Sequence, residues 1–463
     1  MMMISKRFKA TPLAACIVLG LAASTPAMAQ VFQAGDLVIS VYGNGDGSGV
    51  VGDNQASPIV LDDVTTSGSF VDGLTLPQAS FIDAEGVANS VISGEYGSSS
   101  EGSLQLSGDG KSLTIMGYGV NAAAFNSATA NATNAYGTQA LAQTVSLLGG
   151  TYTPVSRVVA DVTADGTVNT STALYGVFNT NNPRSVTTQD GSTFYIAGQG
   201  VKGDTTQGVF VAQRGASTAT AINTSTDART ATIVNGQLYV STDSKQTGVT
   251  GTSKGSANIA VYGSTLPTGT TTPTVLAGIS NAVTIAGNGN GLASGKVNLS
   301  PENFFFANST TLYVADGGIP KQGGTGDGGL QKWSLLNGTW QLDYTISAGL
   351  NLVANTASAG TTGLIGLTGK VVGGQVELFA TNATINDLDP TALYGVTDSL
   401  TATTAANGEA FTTLMAAQAN TVIRGVAFAP TVSPVPETEG ISLAAMGLGA
   451  LALAARRRKQ RAA

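Results

Sequence analysis

Histidine is missing from this sequence altogether, and cysteine occurs once, at Cys16. These absences remove Ser-His-Asp hydrolysis, Cys-His catalysis and histidine-ligated zinc, copper or iron from the chemistry available. No G-x-x-x-x-G-K-[ST] phosphate loop is present either. Charged residues make up only 11% of the chain and aromatics 6%, so helix-forming charged stretches are nearly absent. With one cysteine there is no disulfide, and a chain of this length buries enough core to fold without one. The missing catalytic residues make the expectation non-enzymatic, with no cofactor.

What is present begins with a basic segment, Lys6, Arg7 and Lys9, then an apolar run from Leu13 to Ala23, then Ala27-Met28-Ala29. Basic, apolar, A-x-A in that order reads as a secretion signal, and the apolar run is shorter than the roughly 20 residues a spanning helix needs. Signal cleavage is expected after Ala29, with Ala27 and Ala29 as the recognised small residues. Leu13-Ala14-Ala15-Cys16 also matches a lipobox, but most of the apolar residues follow Cys16, where a lipobox has them before. The expected division is a signal peptide over 1–29, an extracellular body over 30–430 and a terminal sorting segment over 431–463.

That terminal segment runs through Val435-Pro436-Glu437-Thr438-Glu439, an apolar stretch from Ile441 to Ala455, and the basic cluster Arg456-Arg457-Arg458-Lys459. A basic cluster after a short apolar helix stays cytoplasmic and holds the body on the exported side. The three-part tail resembles the PEP-CTERM sorting signal of Gram-negative surface proteins, with Pro436, Glu437 and Thr438 as the sorting motif; Thr438 stands where the family has a second proline. The resemblance implies signal peptidase and export machinery as partners, an exosortase that cuts near the motif, transient inner-membrane anchoring, and a setting in which an exopolysaccharide matrix is made.

The body is rich in Gly, Ser and Thr. Setting aside the charges of the two terminal segments leaves it near −13, which disfavours nucleic acid and anionic lipid. Short β-rich runs such as Leu37-Val38-Ile39-Ser40-Val41-Tyr42, Phe194-Tyr195-Ile196-Ala197, Leu238-Tyr239-Val240-Ser241 and Leu312-Tyr313-Val314-Ala315 alternate with tight-turn pairs. Asp109-Gly110, Asp190-Gly191, Asn235-Gly236 and Gly373-Gly374 accept positive φ at low cost and favour two-residue hairpins. Seven tyrosines are followed by glycine, as if one bend recurred at strand ends.

Recurring antiparallel units with variable insertions suit a β-propeller, which buries both faces of each small sheet. At about 40–65 residues per blade the body makes six or seven blades; a β-solenoid is the alternative. Residues 122–148 are the one stretch read as helix or insertion, and 248–295 is read as containing long surface loops. The body also resembles a group of secreted proteins that share this tail, through Ser100-Glu101-Gly102-Ser103-Leu104, Asn181-Asn182-Pro183-Arg184-Ser185, Gly328-Gly329-Leu330-Gln331-Lys332-Trp333 and Arg424-Gly425-Val426-Ala427-Phe428. That likeness implies a propeller and no activity.

Trp333 and Trp340 flank the turn Asn337-Gly338 and are candidate platforms for glycan stacking, with packing between blades as the competing reading. Asn44, Asp46 and Ser48 place oxygens at alternate positions, as a structural calcium loop does, but Gln55 stands where such a loop has its bidentate Glu. Asp316-Gly317-Gly318 and Asp327-Gly328-Gly329 carry the same weak signal. Gly47-Ser48-Gly49-Val50-Val51-Gly52 satisfies a dinucleotide pattern without the βαβ unit that gives it meaning. Glu95, Glu101 and Glu302 are candidate acids for carboxylate chemistry, though nothing in their spacing marks a pair. The leading expectation is an exported surface or matrix protein that binds exopolysaccharide and contributes to biofilm or floc formation. The alternatives are a carboxylate-based polysaccharide hydrolase or lyase, and a calcium-stabilised adhesin for a protein partner.

Overall fold

The computed structural model describes residues 31–43, 52–201, 203–245, 255–287 and 292–431. Ala27, Ala29, the Pro436-Glu437-Thr438 motif, the 441–455 stretch and the Arg456–Lys459 cluster lie outside the described residues, as do Asn44, Asp46 and Ser48. Among the described residues no helix is long and apolar enough to cross a membrane.

Six four-stranded antiparallel sheets form the blades of a β-propeller. Blade two comprises Gln105–Leu106, Ser112–Tyr118, Arg157–Thr163 and Val168–Leu174, in order from the central channel outward. Blade three follows with Pro183–Thr188, Thr193–Gly198, Gly208–Gln213 and Thr220–Asn223, and blade four with Ala231–Val234, Gln237–Lys245, Gly255–Tyr262 and Thr274–Ser280. Blade five is Pro301–Asn308, Thr311–Asp316, Gly329–Leu336 and Thr339–Ile346; blade six is Thr361–Val372, Gln375–Thr384, Ala392–Ser399 and Thr412–Ala416. Strands pair with their neighbours in sequence, which excludes the solenoid alternative.

Blade one closes the ring. Its inner strand, Thr421–Phe428, comes from the far end of the body and pairs antiparallel with Leu37–Gly43, from Leu37 opposite Phe428 to Gly43 opposite Thr421. Ile59–Val64 and Phe70–Thr75 complete it. Two distant segments thus share one sheet, so the ring cannot open without breaking a hydrogen-bonded ladder.

The strands read as continuous apolar runs because both faces are covered. Successive side chains point to opposite faces, so Leu37 and Ile39 enter the core between blades six and one while Val38 and Tyr42 enter the core between blades one and two. Likewise Leu312 and Val314 pack toward blade four, and Tyr313 and Ala315 toward blade six. Fully burying one such side chain stabilises by about 1.5–3 kcal/mol, and alternation makes every strand serve two cores.

Hydroxyls stitch blade to blade. Ser40 Oγ donates to Gly102 O (2.7 Å), Thr114 Oγ1 to Val186 O (2.7 Å), Ser241 Oγ to Glu302 O (3.0 Å) and Thr381 Oγ1 to Arg424 O (2.6 Å). Each lies on the second strand of one blade and bonds the backbone at the inner edge of the next. All four residues are completely buried, so part of the Ser and Thr content is internal wiring and not surface.

The expected tight turns fall on one face of the ring. Asp190-Gly191, Asn235-Gly236 and Gly373-Gly374 each join the first strand of a blade to its second. Both residues of the Asn235-Gly236 turn have positive φ, 49° and 74°, as a two-residue hairpin of the twist-matching kind requires. Connections from second to third strand lie on the opposite face and are long.

The longest of these, in blade two, contains helices Ala122–Phe125 and Ala128–Thr133, capped by the side chains of Asn121 and Ser127. Its apolar residues Phe125, Leu141 and Val155 dock on Tyr118 and Ala56. Within 248–295, Gly255–Tyr262, Thr274–Ser280, Ala282–Ile285 and Gly295–Asn298 are strands, and residues 263–273 form a long connection between the first two.

Candidate functional site

Inner strands bring their first residues together at the long-loop face, where the channel widens into a cavity of about 670 Å³. Arg184 opens the inner strand of blade three, Arg229 precedes that of blade four, and Glu302 opens that of blade five; all three line the cavity. Ser99 and Ser100 reach in from the segment before blade two, and Lys321 from the loop above blade five.

The charges are matched. Arg184 Nη1 donates to Asp227 Oδ2 (2.9 Å) and its Nη2 to Gln199 Oε1 (2.5 Å), while Arg229 Nη1 lies 3.1 Å from Glu302 Oε2. Asp243, behind the wall, accepts from Ser300 Oγ (2.8 Å) and from the Lys321 backbone N–H (3.0 Å). Glu302, Asp243 and Asp227 together raise the Arg229 pKa against the cost of burial. Arg229 in turn, with burial, lowers the pKa of Lys321. Hydroxyls of Ser225, Thr226, Ser244, Ser300, Thr362 and Thr384 line it further, beside the apolar side chains of Ile319, Ile365 and Ala383, and no aromatic ring is among the lining residues.

A second cavity, of about 310 Å³, adjoins the first and shares Ser99 and Ser100 with it. Glu95, Asn181, Asn182 and Asp387 line it. Glu95 and Glu101 are both buried and meet where the chain bends, the Glu95 backbone N–H donating to Glu101 Oε2 (3.3 Å). Glu101 also takes a hydrogen bond from Tyr118 OH and one from Asn182 Nδ2 (2.8 Å). Glu95 Oε2 accepts the Ala142 N–H from the helical insertion. Burial pushes both carboxyls above the ordinary range, and for Glu95 the charge of Glu101 adds to it.

Glu95 and Glu101 thus adjoin each other, whereas Glu302 stands apart, held by Arg229. Trp333 and Trp340 are 1% and 6% exposed and pack with Ile259, Phe304 and Leu312 between blades four and five, so neither presents a face to a sugar. Asp316 caps its own loop, accepting from Ser300 N (2.9 Å), Gly318 N (2.9 Å) and Gln331 Nε2 (3.0 Å). Gly328 is required by close approach: a Cβ there would strike the backbone carbonyl of Thr362 in blade six. Both Asp-Gly-Gly segments are thus packing features.

Arg184 stood inside a sequence segment already singled out, but its place at the cavity did not show. Asp227, Arg229 and Lys321 carried no local signal. Scarcity of basic residues in an acidic body was the only clue, because several of those few converge on one cavity.

No family model matches this chain, and no curated protein matches it. Three solved structures that resemble it are remote. A GH74 enzyme of Niastella koreensis is 12% identical, with 83% of this chain covering 46% of that one at a TM-score of 0.34. An ulvan lyase is 10% identical over 82% of this chain and 86% of its own, at 0.37. An oligogalacturonate lyase of Vibrio parahaemolyticus is 9% identical over 80% and 92%, at 0.33. The chain spans less than half the length of the first of these. None assigns an activity here. The expectation of a non-enzymatic body is corrected only this far: three solved structures similar in fold are enzymes, a likeness that carries no activity to this chain.

Proposed function

We propose that this is an exported propeller that engages extracellular polysaccharide in the cavity at its long-loop face. One observation carries the reading: that cavity is walled by hydroxyls and by matched cations and anions, with no aromatic floor. Such a lining replaces the hydration of a polyhydroxylated chain by directed hydrogen bonds, and its internal charge balance suits a ligand of low net charge. Apolar small molecules find little surface there.

The proposed address follows from the termini: secretion with cleavage after Ala29, brief anchoring through 441–455, and exosortase release near Pro436-Glu437-Thr438 into the surface or matrix, where the protein contributes to biofilm or floc formation. Titration calorimetry of the purified protein against the exopolysaccharide of its own source tests the binding. Saturable binding that Arg229→Met weakens at least tenfold is expected; absence of heat and of co-sedimentation sinks the reading. Mass spectrometry of the mature termini in medium and membrane fractions tests the address, and a retained tail in the medium fraction contradicts it.

A further inference from the structure

The side cavity of about 310 Å³ holds a carboxyl pair of a different kind from the ion pairs of the channel mouth. Glu95 is 4% exposed and lines the cavity. One of its oxygens is fixed by the Ala142 N–H, and the other has no hydrogen-bond partner among the described residues. A buried side chain that keeps an open oxygen toward a cavity is placed to exchange a proton with whatever enters. Asp387 lines the same cavity from the blade six loop, and its residue is exposed to water. Asn181 and Asn182 supply amides, and Ser98 to Ser100 supply hydroxyls along the wall shared with the main cavity.

We propose that Glu95 and Asp387 are the acid and base of a glycosidic-bond hydrolase in this side cavity, with Glu101 as the positioning residue. The proposal rests on the polysaccharide reading and adds a reaction to it. Glu95 donates its proton to the glycosidic oxygen as the bond from that oxygen to the anomeric carbon breaks. Water adds its oxygen to the anomeric carbon, and the proton it loses passes to the Asp387 carboxylate. The two groups then re-equilibrate with solvent, so only water is consumed. The side cavity adjoins the main one, with Ser99 and Ser100 lining both.

Two carboxyl groups divide these roles when their environments separate their proton affinities. Glu95 is buried and faces Glu101, Asp53 and Asp387, whose negative charges favour its protonated form. Tyr118 and Arg157 adjoin the pair from blade two: Tyr118 OH donates to Glu101, and Arg157 sits over the Tyr118 ring, 4.7 Å from its centroid. Glu101 is tied by Tyr118, Asn182 and the Glu95 N–H, so it acts through charge on Glu95 and does not reach the substrate.

Reducing-end release from the exopolysaccharide, measured beside calorimetric binding, separates this inference from the reading beneath it. Glu95→Gln is expected to lower kcat/KM by about 10²–10⁴-fold with binding retained, as loss of a general acid does. Asp387→Asn, on an exposed loop, is expected to lower it comparably with an unchanged melting temperature. Glu101→Gln removes a negative neighbour, so the alkaline limb of the pH–rate profile moves to lower pH while acid-side activity persists. Binding without any release of reducing ends overturns the inference and leaves the reading standing. Release unaffected by Glu95→Gln or Asp387→Asn, or an unmoved alkaline limb in Glu101→Gln, overturns it as well. Absence of binding removes the reading and the inference together.

Discussion

Ion pairs of similar length serve opposite ends in the channel mouth and in the wedge between blades five and six. At the mouth, Arg184–Asp227 spans 2.9 Å and Arg229–Glu302 3.1 Å, and the pairs wall a cavity of about 670 Å³. In the wedge, Lys332 Nζ lies 2.9 Å from Asp398 Oδ2, the two side chains 1% and 2% exposed. There Tyr313 OH donates to Asp398 Oδ2 (2.5 Å), Tyr344 OH to Oδ1 (2.7 Å), and Lys332 also to Ser399 O (2.5 Å). Both tyrosine rings face the ammonium at 5.4 and 5.5 Å. Every oxygen of that carboxylate is answered from inside, so the wedge cluster specifies packing. The mouth cluster meets open space, so it can answer to a ligand.

Breaking the wedge gives the largest expected effect. Lys332→Met leaves Asp398 charged and buried with the two tyrosine donors and the acidic neighbour Glu409, and removing one partner of such a pair costs about 3–5 kcal/mol. Urea unfolding is the measurement, and adding Asp398→Asn to Lys332→Met is expected to recover part of the loss by removing the stranded charge. Equal losses in the single and double variants would mean that the charge itself matters little there.

The mouth is expected to respond differently. Arg229→Met strands Glu302 beside a solvated cavity, where water takes over part of the arginine's role, so the stability loss is about 1–3 kcal/mol. Its main readouts lie elsewhere: polysaccharide affinity falls, and the Lys321 pKa rises toward its ordinary range in an NMR titration, since Arg229 is the main cause of its depression. A stability loss as large as that of Lys332→Met, with affinity unchanged, would make the mouth a structural cluster like the wedge.

The two sites also differ in how a sequence announces them. The hairpin turns were readable because Asn235-Gly236 and its like act locally through positive φ, and the apolar runs were readable because burial on both faces removes alternation. Blade one was not, since the partners Leu37 and Phe428 are joined only by ring closure. Nor was the internal use of Ser40, Thr114, Ser241 and Thr381, because hydroxyls read as surface until the neighbouring blade is in place. Glu95 and Glu101 were visible as acids, but a bend and not a period brings them together. Trp333 and Trp340 were visible as a pair beside a turn, and only the packing of blade four against blade five decides which way they face.

A single buried acid sharpens the contrast through pH. Asp398 is held below the ordinary range, the hydrogen bonds of Tyr313, Lys332 and Tyr344 outweighing burial, so its contribution is lost as pH falls through its folded pKa. Asp327 goes the other way: burial pushes it up to about 6 from 3.8, and the hydrogen bond from Thr345 Oγ1 does not compensate. Its contribution is full below 3.8 and lost as pH rises through about 6. Asp327→Asn is expected to raise the melting temperature by about 2 °C at pH 8 and to leave it unchanged at pH 4. A gain of the same size at both pH values would show that the charge of Asp327 is not what costs stability.

The smallest effect isolates burial from geometry. Lys370 and Glu377 also lie 2.9 Å apart, the distance found in the wedge, but face each other beside the Gly373-Gly374 turn of blade six with side chains 38% and 36% exposed. Water and salt screen such a pair, and measured values for exposed pairs run to about 0.2–1 kcal/mol. The Lys370 ammonium also sits 5.1 Å from the Phe428 ring centroid, which preserves some attraction when the glutamate is removed. Glu377→Gln is therefore expected to cost under about 0.5 kcal/mol, and high salt should abolish that difference. The loss from Lys332→Met should persist in the same salt, because ions do not enter a wedge packed on every side. If both losses faded with salt alike, distance and not enclosure would govern these pairs, and the distinction between the mouth and the wedge would fall with it.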